Sequence, residues 1–158
     1  MKTLIIISIL FSSIFSFSQN LRTPEDVKQF NREFIRLINI ERKKLNIDTL
    51  IESEKLTKAS IDWSRECITK IFFKHSSKLT VAECLTYIFG KKPVNRSVTQ
   101  SISSFKGSEQ HWAILMDPSY KYIGVGEYQN STINPYANQY ENASKYYISS
   151  VVTIQIWK

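Results

Sequence analysis

The stretch SFKGSEQHWAILMDPSYKYIGVGEY, residues 104–128, changes its hydrophobic period halfway along. Residues 109–116, EQHWAILM, read as a short helix stopped by Asp117 and Pro118, because proline cannot continue a helix. From Lys121 the period becomes that of a strand, KYIGVGEYQ. A second strand-like run, KYYISSVVTIQIW at 145–157, follows a polar loop rich in Asn, Gln and Tyr, so the chain ends on a two-stranded antiparallel unit.

Upstream, the period is mostly helical. In TPEDVKQFNREFIRLINIERKKLN, Thr23 is the expected N-cap, Pro24 opens the first turn, and Glu25 and Asp26 face the positive end of the dipole. Val27, Phe30, Phe34, Leu37, Ile38 and Leu45 recur at helical spacing, which buries one face and leaves the Arg/Lys/Glu face wet, with an end near Asn46. A second helix is expected after Ser53, with Leu56, Ala59, Trp63, Cys67 and Ile71 on one stripe. TVAECLTYIF reads as a strand ended by GKKP, so that Glu83 and Cys84 point to opposite faces. SVTQSISSF places Val98, Ile102 and Phe105 at helical spacing. Trp63 and Trp157 are assigned to the core. Helices, strand, helices and strands in one short chain imply an α+β domain with a mixed sheet covered by helices.

The N-terminus, MKTLIIISILFSSIFSFSQN, has one lysine, a short apolar block and small residues at Ser16 and Ser18. It reads as a secretory signal peptide over residues 1–18, too short and serine-rich for a membrane span. The remaining residues, about 140, suffice for one domain and one core without obligatory metal or disulfide. Residues 19–29 form a lead-in and the start of the first helix, and 30–158 the domain proper. The formal charge of +7 is spread along the chain, one modest cluster in ERKKLN apart. That excludes a nucleic-acid footprint and suits a solvated basic surface in a secreted or periplasmic protein.

Two cysteines in an exported chain, Cys67 and Cys84, make a disulfide the first expectation; the loop of about 17 residues would contribute on the order of 3 kcal/mol. The competing reading is two buried thiols packed as small hydrophobes. Sequons at Asn95, Asn130 and Asn142 fall in predicted loops. A Gly-rich phosphate loop, a Cys/His zinc-finger spacing and a serine nucleophile elbow are all lacking.

Chemistry concentrates on His75, Glu83 and His111, from a loop, a strand and a short helix. Two imidazoles and a carboxylate suit Zn²⁺ or another divalent cation, or general acid–base work.

In order, FFKHSS, AECLTY, the 104–128 stretch and YYISSVVTIQIW resemble the CAP superfamily of cysteine-rich secretory proteins, antigen 5 and pathogenesis-related proteins, including its bacterial secreted members. The most specific part is a histidine followed by an Ile-Leu pair, an Asp-Pro turn and a Gly-Val-Gly strand. The resemblance implies a three-layer α-β-α sandwich, its sheet mixed and mostly antiparallel. It also implies a cleft lined by two histidines and two acids, where zinc or another divalent cation can sit on the histidines. His75 and His111 match the histidines and Glu83 one acid. Ser103 stands where the second glutamate is expected, which implies a weakly held ion. The expectation is a non-enzymatic binding or interaction module with an extracellular partner, lipid, glycan or protein. The alternative is a metal-assisted hydrolase, a protease or cell-wall-acting enzyme, with Glu83 as catalytic base.

Overall fold

The computed structural model describes residues 22–70, 74–77, 81–90, 96–129 and 147–158, with no account of the side chains at 88–90 and 147–149. The expected leader, Ile71 and the asparagines of the three sequons lie outside the described residues.

Helix α1 (Pro24–Lys44) starts where the capping residues require. Thr23 Oγ1 accepts the Asp26 backbone N–H at 3.2 Å and the Asp26 carboxylate accepts the Thr23 N–H at 2.9 Å, a reciprocal capping box. Phe30, Phe34 and Ile38 are buried as their spacing predicts, whereas Leu45, the C-cap, is exposed. Arg42 departs from the expected wet face. It is fully buried, donating to the carbonyls of Asp48, Leu115, Asp117 and Tyr120 at 2.7–3.3 Å. One guanidinium thus ties the end of α1 to the turn that launches a central strand, with carbonyl oxygens compensating its burial.

The remaining elements are β1 (Ile51–Glu52), α2 (Glu54–Lys70), β2 (Ala82–Gly90), α3 (Val98–Lys106), α4 (Glu109–Met116), β3 (Tyr122–Gln129) and β4 (Tyr147–Trp157). The sheet order is β1-β3-β4-β2; β1 runs parallel to β3, and the other pairings are antiparallel. Strand alternation sorts the two faces. Cys84, Ile123, Val125, Val152, Ile154 and Ile156 meet α1, α3 and α4 in the main core. Leu85 and Val151 face the other way, against Trp63, Cys67 and Ile68 of α2. The result is the expected α-β-α sandwich. The two-residue β1 was not expected; two backbone bonds, Ile51 N–H to Lys121 O and Ser53 N–H to Ile123 O, define it.

The Gly-Val-Gly run is explained by the approach of α2. A Cβ on Gly124 would overlap the Leu56 and Thr57 backbone, and one on Gly126 that of Ser60 and Ile61. Helix and strand therefore touch main chain to main chain, and Ser60 and Ser64 seal the contact by donating to the Gly124 and Gly126 carbonyls at 3.1 and 2.9 Å.

Two expectations need correction. Cys67 and Cys84 are free thiols, buried in the two separate clusters on opposite faces of the sheet. Alternation does turn Cys84 away from Glu83, but α2 covers the Glu83 face. Burial pushes the Cys67 thiol up to about 11 and that of Cys84 up to about 12, so both stay protonated and inert. Trp157 is 53% exposed: it pairs opposite Tyr122 at the end of β4, with the Tyr122 ring 6.4 Å away. Trp63 is buried as expected.

Candidate functional site

The site forms at the start of β2, an edge strand, because consecutive residues there serve opposite faces. On the α2 side, the segment after α2 folds back onto Glu83. His75 Nδ1 lies 3.0 Å from Glu83 Oε1, and the Ser76 backbone N–H donates to the same oxygen at 3.0 Å. Gln155 Nε2, on the adjacent strand β4, donates to Glu83 Oε2 at 3.1 Å. Both carboxylate oxygens are therefore occupied as acceptors. In the neutral imidazole, the acceptor opposite Nδ1 places the proton there and leaves the Nε2 lone pair available, on a side chain that is mostly exposed.

On the other face, the Cys84 thiol donates to the His111 carbonyl at 3.7 Å, fixing the first turn of α4 against the strand. The half-buried His111 ring stands edge-on to Phe105, with centroids 5.6 Å apart. Burial, and then the charge of His75, hold the His111 imidazole below its ordinary value. His111 is thereby favoured in its neutral form.

Ser103 lies exposed on α3, and Glu109 is exposed at the start of α4. No group of three or more His, Cys, Asp or Glu side chains able to hold a metal occurs among the described residues. A cation here would have two imidazoles and water as its donors, not a closed protein cage. The Glu83 carboxylate behind His75 is the outer partner that metal-bound histidines generally have.

Sequence reading missed Gln155. Its side chain is fully buried, and its Oε1 finds no donor among the described residues. A signal was present in VVTIQIW: alternation puts Gln155 on the face of Val151 and Thr153, a polar amide where an apolar residue would pack. The part of Phe105 beside His111 carried no such signal, since its spacing marked it only as core.

The chain belongs to the CAP, or cysteine-rich secretory protein, family, whose model matches residues 35–148. Its fold is similar to that of an extracellular SCP-domain protein from Bacillus anthracis, with a TM-score of 0.61 at 16% identity over 87% of this chain and 44% of the other. An outer surface protein from Borrelia burgdorferi gives 0.58 at 16% identity over 87% of this chain and 96% of the other. A cysteine-rich secretory protein from Staphylococcus aureus gives 0.57 at 17% identity over 87% and 41%. The chain therefore spans less than half of the Bacillus and Staphylococcus proteins but nearly all of the Borrelia one. Comparison with curated proteins returns no match.

Proposed function

We propose that this is a secreted CAP-domain binding module whose cleft at the β2 edge holds a weakly bound divalent cation on His75 and His111 and engages an extracellular partner. The observation that carries the non-enzymatic reading is the state of Glu83. With His75, Ser76 and Gln155 on its two oxygens, it acts as an orienting group for His75, not as a base free to take a proton from water. Ser103 adds no second carboxylate, so the cation relies on two imidazoles and stays loosely held. The leader-like N-terminus, together with the extracellular and surface relatives that share the fold, supports export.

A second reading is favoured by one feature. A histidine with Nδ1 held by a carboxylate and Nε2 available is also the orientation of a general base. In a hydrolase on this scaffold, His75 would be the base and Glu83 its positioning residue, instead of Glu83 being the base. The two readings separate on measuring zinc content of the purified protein beside hydrolysis of casein and peptidoglycan. Zinc retention that rises about 10-fold in affinity in Ser103→Glu, without turnover in either protein, is the expected outcome. Turnover lost in His75→Ala would replace the binding reading with the hydrolase.

A further inference from the structure

On the opposite edge of the sheet from His75 and Glu83, α1 and α2 flank a groove of about 660 Å³. Its α1 wall presents Lys28 and Arg32, one turn apart, and its α2 wall Lys58, Asp62 and Arg65. Lys58 and Arg65 both pair with the one Asp62 carboxylate, at 3.0 and 3.2 Å. Lys28 and Arg32 have no ion-pair partner among the described residues. The groove is also polarised along its length. Helix α2 runs alongside β3, with Leu56 over Gly124, Ile61 over Gly126 and Arg65 over the Tyr128 ring, while α1 enters beside Glu127 and Gln129. Arg65 therefore stands at the Tyr128 end and Lys58 midway, with Glu54 one turn before it on α2.

Four cations face three carboxylates in the lining, and with Lys28 and Arg32 unpaired among the described residues the α1 wall keeps a positive surplus that an anionic chain would satisfy. The lining selects among anions. A peptide adding a strand would need the β3 edge, but Val125 and Glu127 are 0% and 1% exposed. Ile61 is the one apolar residue among those lining the groove, too little to anchor peptide side chains. The lining has no aromatic ring, so single-stranded nucleic acid finds no stacking platform and a neutral sugar no flat face. What remains is a hydroxylated, hydrophilic polymer carrying regular negative charge.

We propose that the groove between α1 and α2 binds a linear anionic glycan, its sulfate or carboxylate groups paired with Lys28, Arg32, Lys58 and Arg65. This goes beyond the proposed function, because the groove lies across the sheet from His75 and Glu83.

The test is binding of the full chain to a sulfated heparin-derived oligosaccharide and to oligogalacturonate, with neutral dextran and poly-glutamate alongside, at about 0.05 M and about 0.5 M salt. The proposal expects at least one of the two glycans to bind at low salt and weaken at high salt. It expects Lys28→Glu/Arg32→Glu to lose at least about 10-fold in affinity. Lys43→Glu/Lys44→Glu, the same change of net charge at the far end of α1, is expected to lose no more than about 2-fold, and His75→Ala is expected to bind as wild type. All substituted side chains but His75 are exposed helix positions, so circular dichroism confirms that each variant is folded. Equal losses in the two double variants would make the binding a general effect of net charge and overturn the site. No glycan binding at low salt, or poly-glutamate binding as tightly as the better glycan, would overturn it equally.

Discussion

Gln155 and Glu83 meet side chain to side chain across the β2–β4 pairing, 3.1 Å apart and 72 residues apart in sequence. The amide takes one carboxylate oxygen and leaves the other to His75 and Ser76. Its role is to hold the group that holds the histidine, so its loss should be felt at His75 Nε2 without any contact being made there.

Gln155→Leu is therefore expected to keep the fold, since leucine suits the α2-side core, and to lower zinc affinity by about 10-fold. Calorimetry with circular dichroism checks both. A folded variant that binds zinc as wild type does would show that Ser76 and His75 fix Glu83 unaided.

A second buried carboxylate makes a pH-dependent claim. Glu127 is fully buried between Ser150, which donates at 2.9 Å, and Gln129, which donates at 3.1 Å, and is ion-paired to Arg22. Arg22 also donates to the Arg96 carbonyl and covers the Phe30 ring at 4.3 Å, clasping the segment before α1 onto the sheet. Burial raises the Glu127 carboxyl above its ordinary value, an effect that the Arg22 charge opposes first and its hydrogen bonds next. A carboxyl raised in the folded state favours folding at low pH and loses that contribution as pH rises through its folded value. Arg22→Ala should raise it further and extend the loss to higher pH. Urea unfolding should find the variant destabilised by about 3 kcal/mol at neutral pH and by clearly less near pH 4, with Glu127→Gln recovering part of the neutral-pH loss. An equal penalty at both pH values would place the whole effect in the Phe30 and Arg96 contacts.

Gly126→Ala tests the main-chain contact between β3 and α2. The added Cβ meets backbone, which cannot rotate away as a side chain would. The expected cost is about 3 kcal/mol or more in chemical denaturation, above the usual range for one extra methyl in a core. A loss below about 1 kcal/mol would mean that α2 can slide off the strand freely.

The parts of the fold legible in sequence were those set by local chemistry. Thr23 and Asp26 announce the start of α1, Pro118 follows the end of α4, and the alternation in VVTIQIW gives β4 its two faces. What stayed hidden depends on which element lies across from which. Alternation gives the parity of Cys84 but not the helix that covers that face, and so the bridge to Cys67 was expected where the sheet separates the two thiols. Arg42 reads as a surface cation until the carbonyls at the end of α4 are brought to it. The meeting of His75 with Glu83 was legible only through the resemblance of their segments to the family's. The role of Glu83 was not, because it is decided by Gln155, which joins it only through the β2–β4 register.

The central claim is that His75 and His111, on opposite faces of one edge strand, act on one ion. The most direct measurement is a zinc titration followed through the ring resonances of both histidines at a pH where the imidazoles are neutral, in wild type, His75→Ala and His111→Ala. In wild type both rings are expected to respond together and saturate at one equivalent, and each substitution should abolish the response of the remaining ring. Independent saturation of the two rings, or a His111→Ala protein that binds zinc as tightly as wild type, would contradict the claim and return His111 to a structural role beside Phe105.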